Sequence, residues 1–333
     1  MRRYGRGEGG YLGAYVAGST VGMADDAELP DTSDLDVVVV SAAEEAPPKV
    51  GKLRHEGALL EITWLPWAEI SSAERVLGSY HLAGSFRTDT VLDDPTGRLR
   101  ALRAAVEPRF AAPEWVRRRC ADARHRIEQG LAAVDPAAPF HQALTTWLFA
   151  TAVTTHVVLV AALRNPTVRL RYPAARAALT EYGQAARYPR LLSLLGCADV
   201  PAERVRFHLD ALARTFDATA PVARTPFFFS ADLTPAARPV AIDGSRVLID
   251  QGDHREAVFW ILATFARCHA VLSVDAPALA ARLEPEFRAA ARELAGVGDP
   301  AELPGRAAEV AGFLPELWAV AEEMTAARGG PRP

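Results

Sequence analysis

Two aspartates separated by one residue stand at the start of a run of valines. Asp34 and Asp36 flank Leu35, and four valines follow without interruption. Because side chains alternate between the faces of a β-strand, a strand here would place both carboxylates on the same face. Neighbouring carboxylates repel each other, and burial makes it harder to keep both ionised. A cation relieves both effects, and Mg²⁺ prefers hard oxygen ligands, so the pair predicts a magnesium site.

A glycine and a serine precede this pair, at the end of an earlier apolar stretch that we expect to be a strand. Gly18 lets the backbone approach a phosphate closely, because glycine has no side chain and tolerates unusual dihedral angles. Ser19 adds a hydroxyl and an amide as hydrogen-bond donors. The order of strand, glycine-serine turn and paired acids therefore indicates a site for a metal ion and a nucleotide.

A third acid follows in a segment that alternates like a β-hairpin. Residues 52–65 are expected to turn near Glu56 and Gly57, and Glu61 then lies in the second arm. If this hairpin lies beside the valine-rich strand, all three carboxylates converge. Enzymes that transfer phosphoryl groups use such clusters to hold metal ions that bridge the nucleophile and the leaving group.

In this order, the segments 18–19 (GS), 33–36 (SDLD) and 61–63 (EIT) resemble the DNA polymerase β-like nucleotidyltransferase superfamily. The likeness is greatest to the aminoglycoside adenylyltransferases of the streptomycin/spectinomycin type, and the segment 91–99 (VLDDPTGRL) resembles the last strand and turn of that domain. The resemblance covers roughly residues 10–110. One departure is a longer spacer between Ser19 and Asp34, which contains an acidic loop formed by Asp25, Asp26, Glu28 and Asp31.

The resemblance implies an α+β fold, with a nucleotidyltransferase domain over residues 1–110 that has a mixed sheet with helices. An all-α helical bundle over residues 111–328 would bind the acceptor. The implied reaction moves a nucleoside monophosphate, AMP from ATP in the first instance, onto a hydroxyl of a small molecule such as an aminoglycoside or another natural product. Such an enzyme needs Mg²⁺, releases pyrophosphate and can confer antibiotic resistance.

The resemblance also implies roles for individual residues. Gly18, Ser19 and Ser33 would hold the nucleotide, and Asp34 and Asp36 would bind Mg²⁺. Glu61 would complete the metal site or act as the catalytic base, and the resemblance favours the base. Two other functions stay open: a transferase that acts on a protein or RNA, and a non-catalytic regulator that binds a nucleotide.

Composition limits the class of protein. The length of 333 residues is typical of two domains, and a half-hydrophobic composition excludes global disorder. The net charge of −4 argues against a protein that mainly binds nucleic acid. Three widely spaced cysteines, at 120, 197 and 268, show no metal-ligand pattern and indicate free, buried thiols in a reducing cytoplasm. No signal peptide is expected, and the chain is predicted to be a cytoplasmic monomer or homodimer.

Beyond residue 113 the apolar spacing becomes helical. One long helix is expected there, over 137–163, and its uncharged stretch is long enough to cross a membrane. Several threonines and the lack of a second such stretch favour a buried helix of a bundle. Ahead of this region, one helix is expected over 66–77. Residues 220–250 are expected to form an irregular connection, in which Phe227, Phe228 and Phe229 line a pocket or fill the core.

Four further side chains are weighed and not assigned to the site. His81 is expected to be packed or on the surface more readily than bound to a nucleotide. Glu181, Asp253 and Glu256 are acids of the helical region that a polycationic acceptor would need. Acids are favoured in the first turn of a helix in any case, and that explanation is preferred.

Overall fold

The computed structural model describes residues 10–24, 26–45 and 50–327 of the chain. Asp25 of the acidic loop lies outside these ranges. A five-stranded mixed sheet comes first and a long helical region follows it. The predicted α+β class, with a mixed sheet ahead of the helices, is therefore confirmed.

The sheet has its most apolar strand in the middle. Its strands are Tyr11–Ala17 (β1), Leu35–Ser41 (β2), Gly51–His55 (β3), Ala58–Pro66 (β4) and Val91–Asp93 (β5), in the order β3-β4-β2-β1-β5. The β2 and β4 strands run parallel, and the other neighbours are antiparallel. Because β2 buries valines on both faces, it suits the central position of the sheet.

The hairpin between β3 and β4 turns where the sequence predicts. Glu56 and Gly57 both have positive φ, at 49° and 87°, as a tight two-residue turn requires. One prediction about the strands is wrong, because β2 begins at Leu35. Asp34 therefore stands just outside the strand that holds Asp36.

Twelve α-helices account for most of the remaining described residues, and short 3-10 segments connect several of them. They are Ala73–Gly78 (α1), Arg98–Val106 (α2), Pro113–Ala132 (α3), Phe140–Ala152 (α4), Thr154–Ala161 (α5), Arg171–Glu181 (α6), Tyr188–Leu195 (α7), Ala202–Thr219 (α8), Gly244–Asp250 (α9), His254–Asp275 (α10), Pro277–Ala295 (α11) and Leu303–Ala327 (α12). Helices α1 and α2 pack on the sheet around Tyr15 and Phe86, whereas the later helices surround a separate core that contains Trp147 and Phe259. Leu163 packs against both cores.

The boundaries of two predicted helices and of one predicted connection are wrong. The helix expected over 66–77 divides into a 3-10 turn and α1, because the Ser72 hydroxyl accepts a hydrogen bond from the Arg75 amide and caps a new helix. The helix expected over 137–163 breaks at Val153, where the hydroxyls of Thr154 and Thr155 bond to carbonyls three residues earlier. The connection expected over 220–250 becomes regular at residue 239 with a π-helical turn, and α9 follows it.

Two helical stretches are long and apolar enough to cross a membrane, so the prediction that there is no second such stretch is wrong. They are Phe140–Ala161 and His254–Asp275, and in each the most apolar window is 83% buried within the structure. A helix that is apolar all round is typical of a protein core as well as of a membrane span. The prediction of buried thiols is confirmed, since Cys120, Cys197 and Cys268 are all buried and form no disulfide.

Candidate functional site

The register of the sheet places three charged residues in one row. Asp36 on β2 lies opposite Glu61 on β4, and Glu61 lies opposite Lys52 on β3. Directly opposite residues of neighbouring strands present their side chains on the same face. Asp34 joins the row from the residue before β2, and one oxygen from each carboxylate lies within 4.8 Å of the others. The predicted convergence of Asp34, Asp36 and Glu61 is therefore confirmed.

Lys52 lies among these acids, and its place there was not predicted from the sequence. Its ammonium contacts the carboxylates of Asp34 and Glu61, and it lies 3.2 Å from Asp232 of the helical region. Burial alone would lower the pKa of Lys52, but these three carboxylates outweigh burial and raise the pKa above its usual value. The signal was present in the predicted hairpin, because a two-residue turn at 56–57 pairs position 52 with position 61.

Asp34 remains disfavoured as an anion even with this ammonium in contact. Burial is the largest cause that raises the pKa of Asp34. The Lys52 charge opposes this effect, the Glu61 charge adds to it, and the net pKa remains above its usual value. A carboxyl that is still disfavoured as an anion would gain from a stronger cation than one ammonium. The donor set, three carboxylates, also consists of the hard oxygen ligands that Mg²⁺ prefers, so the residues fit this ion.

The glycine-serine turn packs directly against these acids. Gly18 has a φ of +72°, and a Cβ atom at this position would lie 1.8 Å from Oδ2 of Asp36. Glycine is thus required here by both the backbone angle and the contact. Ser19 follows in an exposed 3-10 turn. The Asn165 side chain of the helical region donates to the Gly18 carbonyl at 3.1 Å, and this bond holds the turn from the other side.

The helical region closes around the site through two further contacts. Arg169 donates to the Thr32 carbonyl at 3.1 Å and to Oγ of Ser33 at 3.4 Å, so the loop before the aspartates is anchored. Asp232 approaches β3 and also bonds Arg267 of α10 at 2.8 Å. Charges of alternating sign therefore run from the acids of the sheet through Lys52 and Asp232 to Arg267.

Several other candidate residues have partners outside this site. His81 lies 3.1 Å from the Ser79 hydroxyl and packs against Tyr80. Asp253 and Glu256 both bond to Arg176, at 2.8 and 2.9 Å, and Glu181 bonds to Arg164 at 2.6 Å. The side chain of Asp253 makes no capping bond, so ion pairing explains this acid better than helix capping.

The described acids of the acidic loop and the three consecutive phenylalanines also lie outside the acid cluster. In the acidic loop, Asp26, Glu28 and Asp31 are exposed. Of the three phenylalanines, Phe229 is buried, Phe227 packs beside it and Phe228 is exposed, so the segment partly fills the core.

No protein-family model matches this chain, and no curated protein matches it either. The chemistry of the site is therefore inferred from its residues and their geometry.

Proposed function

We propose that this chain is a nucleotidyltransferase of the polymerase β-like kind, which moves a nucleoside monophosphate onto a hydroxyl of a small molecule. The observation that supports this proposal most directly is the convergence of Asp34, Asp36 and Glu61 beside the turn at Gly18. Neighbouring parallel strands hold two of the acids in register, which gives the cluster a rigid base. ATP is the proposed donor, and pyrophosphate is the leaving group.

Asp34 and Asp36 would hold Mg²⁺, with Glu61 as a third ligand or as the base. The ion would neutralise negative charge on the triphosphate and on the leaving pyrophosphate. The amides of Gly18 and Ser19 and the Ser19 hydroxyl would bind phosphate oxygens. Ser33 would also contact the nucleotide, and the hydrogen bond from Arg169 would hold its hydroxyl in place.

In the reaction, the acceptor oxygen attacks the α-phosphorus of the nucleotide. A bond from that oxygen to phosphorus forms, and the bond from phosphorus to the bridging oxygen of the β-phosphate breaks. The acceptor proton passes to the carboxylate of Glu61 when this residue acts as the base. A base must lie within hydrogen-bond distance of the proton it removes, so the acceptor hydroxyl must lie next to β4.

Lys52 adds a constraint on this chemistry. Its ammonium contacts the carboxylate of Glu61, which lowers the ability of that carboxylate to accept a proton. When Glu61 acts as the base, turnover therefore requires the ammonium to leave it. The side chain is long and flexible, and it would then be free to pair with the triphosphate.

The same ammonium favours a second candidate function. In a protein that binds a nucleotide without turning it over, a lysine among the acids could take the place of a metal ion permanently. That function is a non-catalytic regulator. It predicts nucleotide binding that is independent of Mg²⁺, whereas the transferase predicts binding that Mg²⁺ strengthens.

The test is pyrophosphate release from each of the four nucleoside triphosphates with Mg²⁺, in the presence of hydroxylated acceptors that include aminoglycosides. We expect acceptor-dependent release from the natural chain, and a loss of at least a hundredfold in Asp36→Asn. Glu114→Gln, which changes an exposed acid of α3, serves as the matched control and should keep full activity. Equal release from the Asp36→Asn variant would overturn the catalytic proposal, and nucleotide binding without any release would favour the regulator.

A further inference from the structure

A buried arginine lies in the core of the helical region, and it has no carboxylate partner among the residues that the structure describes. Arg171 is the first residue of α6 and is only 2% exposed. Its Nε donates to the Val168 carbonyl at 2.7 Å, and its Nη1 has no hydrogen-bond partner within the part of the chain that the structure describes. Burial lowers its pKa to about 10. A charge buried without a counter-charge is unfavourable, so the protein must gain something from keeping it.

The surroundings of Arg171 are aromatic and contain two other unpaired polar atoms. Its guanidinium lies 4.0 Å from the ring centre of Phe259 and 5.9 Å from that of Phe149. The Tyr172 hydroxyl and Nδ1 of His156 are buried and have no hydrogen-bond partner among the described residues. His156 is neutral at physiological pH, because burial and the Arg171 charge lower its pKa to about 3. Arg171 therefore receives no negative charge from these neighbours.

Arg171 lies near the end of the series of charged side chains that leads to the acid cluster of the sheet. The positive charge of Arg267 acts on it, and Arg267 also lies 5.6 Å from the ring centre of Phe149. Arg267 in turn bonds Asp232, which pairs with Lys52 of the site. The other two cations of this series, Lys52 and Arg267, each contact a carboxylate. Arg171 lies at its end with an unsatisfied donor.

The three acids that were considered as partners of a polycationic acceptor each form an ion pair with an arginine. Asp253 and Glu256 share Arg176, and Glu181 pairs with Arg164. The helical region thus keeps these three negative charges neutralised, while the positive charge of Arg171 meets no carboxylate among the described residues. This arrangement favours an acceptor of the opposite charge to an aminoglycoside.

We propose that Arg171, together with Arg267, binds an oxyanion group of the acceptor, a carboxylate or a phosphate, which is attached to an apolar or aromatic body. This inference rests on the proposed transferase function and names its substrate class. The guanidinium group binds such oxyanions through paired hydrogen bonds, and the rings of Phe149 and Phe259 pack against the body. The connection over residues 162–170 beside Arg171 is only partly buried, and its Val168 carbonyl accepts the Arg171 bond.

The experiment uses pairs of acceptors that differ in one charge. 4-Hydroxyphenylacetate is compared with 4-hydroxyphenylacetamide for the carboxylate, and 4-hydroxyphenyl phosphate is compared with hydroquinone for the phosphate. Binding is measured by calorimetry without nucleotide, and pyrophosphate release is measured with ATP and Mg²⁺. We expect at least one anion to bind tenfold or more tightly than its neutral twin. Arg171→Met should abolish that preference, and Arg214→Met, which changes an exposed arginine paired with Glu286, should keep it.

Thermal unfolding separates a binding role from a structural one. Arg171→Met removes an unpaired buried charge, so we expect its midpoint to equal or exceed that of the natural chain. A lower midpoint with an unchanged preference for anions would overturn the inference. If this variant does not fold, Arg171→Lys keeps the charge without the paired donors, and it should fold and bind the anion more weakly.

The two proposals can fail separately. Pyrophosphate release with aminoglycosides, and with no preference for either anion over its twin, would overturn the anionic acceptor and support the transferase. Anion binding that Arg171→Met abolishes, without pyrophosphate release from any triphosphate, would support the anion site and count against the transferase.

Discussion

Lys52→Met removes a buried ammonium from contact with three carboxylates and keeps most of the length of the side chain. Lys52 is 4% exposed, and the side chains of Asp34, Glu61 and Asp232 are 18, 13 and 16% exposed. Removal of one partner from a buried ion pair destabilises a protein by about 3–5 kcal/mol. Because each carboxylate retains some contact with water, we expect the lower value, a loss of about 3 kcal/mol in the free energy of unfolding.

Magnesium should reverse much of this loss. In the natural chain Mg²⁺ has to compete with the ammonium for the oxygens of Asp34 and Glu61, whereas in the variant it does not. A ligand at one hundred times its dissociation constant stabilises the native state by about 2.7 kcal/mol. Urea unfolding is therefore measured first with a chelator and then with millimolar Mg²⁺, and the gain in stability should be larger for Lys52→Met than for the natural chain.

Arg54→Met is the matched control for this change. Arg54 lies on the same strand, is exposed and donates to the Gly57 carbonyl at 3.2 Å. We expect its stability to stay within about 0.5 kcal/mol of the natural chain, with no added response to Mg²⁺. The electrostatic explanation of the site is refuted if Lys52→Met is as stable as the natural chain in the chelator. Equal stabilisation of both proteins by Mg²⁺ would show that ammonium and metal do not share the same oxygens.

Two further predictions concern the turn and the core. Gly18→Ala would place a methyl group 1.8 Å from the Asp36 carboxylate, so calorimetry should show at least a tenfold loss of nucleotide affinity. Gly57→Ala is its control, because it has a positive φ of 87° but no atom within 4 Å of the new Cβ, and it should keep nucleotide affinity. His156 has its folded pKa lowered to about 3 by burial, so its stabilising effect is complete above about pH 6.5 and is lost as the pH falls towards 3. Between pH 7 and pH 5 the free energy of unfolding of the natural chain, measured in urea, should fall by about 2 kcal/mol more than that of His156→Gln. Equal falls would show that His156 is not held neutral in the folded protein.

Local sequence patterns determined much of the N-terminal part of this protein. Alternation, the valine run and the turn at Glu56 and Gly57 depend on neighbouring residues, so they predicted the strands and the hairpin directly. The register of the hairpin then follows from the turn. When β4 pairs with β2, Glu61 lies opposite Asp36. The spacing of Asp34 and Asp36 was sufficient to identify the cluster, even though Asp34 lies one residue outside the strand.

Tertiary structure alone decided which charges meet across the chain. Asp232 reaches Lys52 because the helical region docks on β3, and no pattern within either segment encodes that contact. The same holds for Asp253, whose negative charge looks available in the sequence and is neutralised by Arg176 in the fold. Arg171 is the opposite case, since a first-turn arginine is ordinary in a sequence and becomes exceptional only when packing removes its water without supplying a carboxylate. Ion pairs act between side chains that are close in space, and the chain brings these together only when its two regions pack against each other.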